Sequence, residues 1–184
     1  MPSHTVDGTT ISTILSVLNP AHEASALRGN LSHEALKLAT AGSSSYVQAI
    51  AAALMTLGGI HAPLVETCKL LRRERPVDHA KALLSEKKRI PGWGNGFVKG
   101  KADTIWEPVD RVLRDEAPGI MRDVDAITDI LHAAGKLIYP NPSCYTAVAA
   151  ITLGIPSEAS PYLFVSARLS AWSEEFCRLY REAP

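Results

Sequence analysis

The sequence has little that would mark a secreted, membrane-bound or nucleic-acid-binding chain. Lys plus Arg and Asp plus Glu number 19 each among 184 residues, so the formal net charge is zero. A neutral chain has no basic footprint for nucleic acid. Only three cysteines occur, Cys68, Cys144 and Cys177, widely spaced and in no CxxC pattern. That count argues for reduced thiols in a cytoplasmic protein, and no metal centre is expected. The opening Met1-Pro2-Ser3-His4 lacks the charged and apolar regions of a secretion signal. The longest apolar run, Tyr46 to Leu57 interrupted by Gln48, is too short to span a bilayer. Strand-like alternation is absent too, so the expected class is all-α.

What is present is glycine in clusters. Ile90-Pro91-Gly92-Trp93-Gly94-Asn95-Gly96-Phe97-Val98-Lys99 interleaves three glycines with aromatics. Such a run suits neither helix nor strand, but it suits a backbone that needs positive φ or close approach. Exposed amides with Lys99 nearby would favour a phosphate or a carboxylate, although many such loops are only turns.

Around this loop the chain reads as helices. Residues Thr5 to Ala41 carry short helical patterns with breaks expected at Asn19-Pro20 and Gly29-Asn30. Ser32 is a candidate N-cap, and His22 and His33 read as surface or capping residues. This region reads as a lead-in without a catalytic constellation. Tyr46 to Leu57, apolar around almost its whole circumference, is expected to be a buried core helix stopped by Gly58-Gly59. Its alanines also suit a helical dimer interface. His61 follows, just before a helix expected from Pro63 to Arg73. There the helix dipole would disfavour protonation, and a neutral imidazole can donate to a carbonyl oxygen. The plainer reading is a satisfied core histidine.

Further helices are expected over Pro76 to Lys88, Thr104 to Arg114 and Asp123 to Ile138. After Pro140-Asn141-Pro142, Ser143 is a natural N-cap for Cys144 to Leu153. At that helix end Cys144 could have a lowered thiol pKa and act as a nucleophile. A long last helix begins near Pro161, with Leu163, Ala167, Ser170 and Ala171 leaving room for close packing. Arg168 lies among these small and apolar residues, so it needs an anionic partner, either a side chain or a ligand.

Three stretches in register resemble the citrate synthase and citryl-CoA lyase superfamily. Gly58-Gly59-Ile60-His61 resembles the family's glycine-and-histidine turn. Ile90 to Lys99 resembles its second, histidine-bearing glycine loop. Asn141 to Trp172, with Gly154-Ile155-Pro156 and Ala167-Arg168, resembles its C-terminal helix pair.

The resemblance implies a helical bundle with a trimmed large-domain core (1–60 and 139–184) and a small-domain segment (61–138). It implies an acyl-CoA thioester and a small carboxylate as substrates or ligands, with no separate cofactor. In the family an aspartate removes a proton from the thioester α-carbon, one histidine stabilises the enol, and a second assists attack on the acceptor carbonyl. His61 matches the first histidine. Asn95 stands at the second, Gly96 at the arginine after it, and Ser143 at the aspartate. Arg168 matches a citrate-binding arginine, and Gly92, Trp93, Gly94, Gly96 and Lys99 belong to the ligand-holding loop. The arginine usual after that loop is missing from Lys101-Ala102-Asp103-Thr104-Ile105. Losing a correctly placed acid or base costs about 10²- to 10⁴-fold in rate. The departures therefore imply altered thioester chemistry or, alternatively, a non-catalytic regulatory subunit or CoA-ester sensor. A homodimer is implied, or a heterodimer with a full-length paralogue.

Overall fold

The computed structural model describes residues 6–42, 45–57 and 63–182. Among them there are nine α-helices and no strand, so the chain is all-α. The first helix, α1 (Gly8–Ala26), starts where the Asp7 carboxylate accepts the Thr10 amide at 2.8 Å. Its inward stripe of Ile14, Leu18, Ala21, His22 and Ser25 recurs every three or four residues. The break expected at Asn19-Pro20 does not occur. Pro20 lies on the exposed face of α1, and so does Ser16, whose carbonyl loses its helical donor on the side of the helix turned to solvent.

The turn at Gly29 is real, but Asn30 rather than Ser32 caps α2 (Leu31–Ala41). The Asn30 side-chain oxygen accepts the His33 amide at 3.1 Å and the Ser32 hydroxyl at 2.6 Å. A reciprocal Ser45–Gln48 capping box opens α3 (Tyr46–Met55). Next come α4 (Leu64–Leu71), one residue past Pro63, and α5 (Pro76–Ser85). After the glycine loop, a 3-10 turn at Thr104–Trp106 leads into α6 (Glu107–Glu116). The α7 helix (Pro118–Ala133) begins and ends about five residues earlier than its apolar pattern predicts. Pro118 supplies its first turn and Gly135, at φ +72°, stops it, leaving Leu137 exposed beyond the end. Then follow α8 (Pro142–Thr152) and α9 (Ser160–Glu182).

The enclosed helix of the fold is α8, not the alanine-rich Tyr46 segment. Every residue of α8 from Ser143 to Ala150 is buried, with α1, α4, α6 and α9 against it. By contrast α3 buries only Ala49, Ile50 and Ala53, and leaves Val47 72% and Met55 87% exposed. All-round apolarity tells that a helix can be surrounded; it does not tell which helix is. The main core runs through α1 and α4–α8 and reaches Leu163 and Phe164 of α9. A smaller core joins the end of α1, the α2–α3 hairpin and Trp172 and Phe176 of α9. Ser170, expected at a packing contact, is exposed.

Both histidines read as surface groups are buried. His33 accepts the Gly29 amide on Nδ1 at 3.1 Å and meets the Glu175 carboxylate through Nε2 at 3.1 Å, tying α2 to α9. His22 has no exposed surface and lies edge-on to Trp106 and Phe164. Burial, and then the nearby Arg168 charge, hold its pKa well below 6.5. An imidazole kept neutral in the fold but free to charge when unfolded stabilises the protein fully above pH 6.5. That contribution is lost as the pH falls below 6.5 toward the folded-state value, because the unfolded chain takes up the proton first. The unfolding free energy should therefore drop by up to about 1.4 kcal/mol per pH unit below 6.5. In His22→Gln, denaturant titrations between pH 7 and 5 should show a visibly shallower drop; an identical slope would remove His22 as the cause.

Candidate functional site

A cleft of about 620 Å³ opens between the end of α1, the glycine loop, the start of α8 and one face of α9. That volume suits a small ligand. Its walls include Gly92, Trp93, Gly94, Asn95 and Gly96 of the loop, together with Ser143 and Arg168. Most of the residues singled out in the sequence thus share one cavity. His61 lies outside the described residues; Leu57 and Pro63, on either side of that gap, line the cleft. Lys99 is exposed and does not line it, whereas Arg89, at the other end of the loop, does.

Packing accounts for the first glycine. At Gly92, φ is +89° and a Cβ would stand 2.5 Å from Thr67 Cγ2, a clash that only glycine avoids. The Trp93 indole is buried and donates to Thr128 Oγ1 at 2.9 Å. Asn141 then fastens the loop to α8. Its backbone amide donates to the Gly92 carbonyl, its side-chain amide to the Gly94 carbonyl, each at 2.9 Å. The same side chain accepts the Ser143 and Cys144 amides at 2.9 and 3.3 Å, so Asn141, not Ser143, is the N-cap of α8. Several amides that might have cradled an anion are consequently engaged. Gly94 N–H donates to the Tyr139 carbonyl and Phe97 N–H to the Asn95 side chain.

Ser143 is buried in the first turn of α8, and no histidine or carboxylate among the described residues bonds its hydroxyl. Cys144 is fully buried, and burial pushes its thiol pKa up rather than down. A nucleophilic role for Cys144 is thereby overturned: the desolvation outweighs the pull of the helix end. Asn95 keeps a donor in the cleft, but one of its N–H groups is given to Asp103 Oδ2 at 3.1 Å.

Arg168 is only 5% exposed and still lines the cavity. Its neighbours are neutral. Nη2 donates to Ser25 Oγ at 3.1 Å, Nε to His22 Nδ1 at 3.4 Å, and the guanidinium lies 4.1 Å from the centre of the Phe164 ring. Because Nδ1 accepts, the His22 proton sits on Nε2. It donates to Thr146 Oγ1 at 2.8 Å, and Thr146 in turn donates to the Pro142 carbonyl at 2.7 Å. Burial lowers the Arg168 pKa to about 10, which leaves it charged at neutral pH. Among the described residues no carboxylate forms an ion pair with it. A buried cation without an anion is costly unless a ligand supplies one.

Sequence reasoning passed over His22, Ser25, Arg28, Asp103 and Asn141. Asp103 is the one carboxylate among the described cleft residues. Its Oδ2 accepts Arg28 Nη1 at 2.6 Å as well as Asn95. The available signal was polar residues beside turn glycines, in Arg28-Gly29-Asn30 and in the short stretch after Gly100.

No curated protein matches the chain at the sequence level. Among solved structures, it is similar to citryl-CoA lyase from Hydrogenobacter thermophilus, with a TM-score of 0.81, 17% identity, and coverage of 96% of this chain and 72% of that one. Citrate synthase from Thermotoga maritima superposes with a TM-score of 0.76 at 25% identity, over 92% of this chain and 49% of that one. The Thermoplasma acidophilum citrate synthase, solved with carboxymethyl coenzyme A and oxaloacetate, gives 0.70 at 20% identity, over 93% of this chain and 48% of that one. The chain therefore spans about half the length of these two synthases. The family model for the citrate synthase C-terminal domain matches residues 27–180. The chain belongs to the citrate synthase family.

Proposed function

We propose that the cleft binds a small carboxylate together with an acyl-CoA thioester, with Arg168 as the carboxylate's anchor. The observation that carries this reading is the charged, buried Arg168 guanidinium, which faces the cavity with only neutral partners. A carboxylate there would replace lost hydration with charge-assisted hydrogen bonds in a site shielded from water. The thioester half of the proposal follows from family membership and from Asn95, whose remaining N–H can support a carbonyl or enolate oxygen. His61 enters this proposal as the polarising histidine.

Carbon–carbon bond formation or cleavage of the family's type needs a base at the thioester α-carbon. The position that would carry it is Ser143, and Asp103 is held by Arg28, Asn95 and the Ile105 amide. An ion-paired carboxylate is a weakened base. That observation favours a second reading, in which the chain binds its ligands without turning them over, as a sensor or as a subunit of a larger synthase. The exposed apolar side chains Leu38, Val47 and Met55 on the α2–α3 hairpin suit burial against a second protein. We assign that face to a homodimer; a heterodimer with a full-length paralogue would use the same surface.

Four measurements test these readings. Calorimetric titration with acetyl-CoA, using free CoA as control, should show thioester binding that weakens in His61→Ala. Release of free CoA thiol in the presence of a carboxylate would establish turnover, and binding without release would establish the second reading. In Arg168→Met, carboxylate-induced thermal stabilisation should vanish while the ligand-free protein becomes no less stable, since an unpaired buried charge has gone. Marked destabilisation of the ligand-free protein would mean that Arg168 is structural. Finally, Val47→Glu should shift the sedimentation coefficient from dimer to monomer, and an unchanged value would remove α3 from the interface.

A further inference from the structure

The chain reverses between α1 and α2 over residues 27–30, and the reversal supplies one wall of the cleft: Arg28, Gly29, Asn30, Leu31 and Ser32 all line it. Main-chain bonding does not hold this wall in shape. Among the described residues no backbone carbonyl accepts the amides of Arg28, Gly29 or Asn30. Two side chains hold it instead. Asn30 donates to the Ser25 and Ala26 carbonyls at 3.0 and 2.9 Å, which closes the end of α1. His33 holds the middle of the turn, where the Gly29 amide donates to its Nδ1 at 3.1 Å. Gly29 stands at φ +71°, a region where glycine has wide freedom, so a restraint from outside the backbone is what selects one conformation.

The imidazole is itself held. With Nδ1 accepting, the ring proton sits on Nε2 and donates to Glu175 Oε1 at 3.1 Å. Both side chains are buried. The Glu175 carboxyl is kept at about pKa 2, chiefly by Arg178, which donates to it twice at 2.8 Å against the effect of burial, so it remains an acceptor. A carboxylate on one ring nitrogen fixes the tautomer that leaves the other free to accept.

Resting on the reading of the cleft as a thioester site, we propose that His33 is a positioning residue for that cleft, selecting through the Gly29 amide the one shape of the α1–α2 turn that receives the ligand. Glu175, on α9, orients it. His33 does not itself line the cavity, so it acts only through the turn. A turn without main-chain bonds samples other shapes once that restraint goes, and ligand affinity falls with the fraction that stays competent.

Two substitutions separate the ring nitrogens. His33→Gln keeps an N–H for Glu175 but offers nothing to Gly29. His33→Asn restores an acceptor near Gly29 and gives up Glu175. Amide hydrogen exchange at Gly29, read by NMR without ligand, should quicken about 3- to 10-fold in His33→Gln, the range of one neutral hydrogen bond, and return toward the intact rate in His33→Asn. Glu175→Gln, which frees the ring to take its other tautomer, should quicken it as well, and an unchanged rate there would remove Glu175 from the arrangement. Calorimetric titration with acetyl-CoA should follow the same order, its dissociation constant about 3- to 10-fold higher in His33→Gln and largely recovered in His33→Asn. Melting temperatures should run the opposite way, because His33→Asn loses the charge-assisted contact. Affinities that track melting temperature instead, or a Gly29 exchange rate unchanged in His33→Gln, would make His33 a structural residue only and overturn the proposal while thioester binding stands. If the intact protein binds no acetyl-CoA, the thioester reading of the cleft falls, and this inference falls with it.

Discussion

The cleft is arranged around a buried positive charge. Arg168 sits in the middle of α9 where an aliphatic residue would pack without penalty, and its partners are the Ser25 hydroxyl, a neutral imidazole and an aromatic face. That choice propagates. His22 stays unprotonated, first because it is buried away from water and then because a second cation beside the first would be repelled in a medium that screens poorly. Its tautomer is then set by Arg168 on one side and by Thr146 on the other, and Thr146 is itself anchored to the Pro142 carbonyl at the head of α8. The chain of contacts thus brings groups of α1, α8 and α9 together at the wall of the cleft.

The glycine loop plays a narrower part than its composition suggests. Gly92 serves close packing on Thr67, Trp93 serves the core through Thr128, and Asn141 joins the loop to the start of α8. The loop brings Asn95 to the cavity; the charges that line the cavity are Arg28 just past α1, Arg89 before the loop, Asp103 after it and Arg168 on α9.

Most of the architecture was legible in the sequence, because helical periodicity, proline and glycine act locally. Residues 76–85 and 142–152 form helices close to where their patterns place them. What was not legible depends on the opposite wall. Pro20 reads as a break, yet its missing donor is harmless once that face of α1 turns to water. His22 and His33 read as surface groups because an imidazole's burial is decided by Arg168, Thr146 and Glu175, all more than a hundred residues away. The resemblance led to Asn95, Ser143 and Arg168, which line one cleft. It gave no hint of Arg28 and Asp103, because their juxtaposition is a property of the folded chain rather than of any motif.

The length of α9 has a mechanical meaning. At 23 residues it is a rod of about 35 Å. Arg168 and Glu175 stand seven residues apart, two turns, on the same side of it. The first belongs to the cleft, and the second is clasped by His33 of the α2–α3 hairpin while its carboxyl is held down at about pKa 2, chiefly by Arg178. A stiff rod cannot twist at one station and stay still at the other. Any rotation that re-aims the guanidinium must turn the hairpin's clasp through the same angle, so cavity and hairpin move as two marks on one axle.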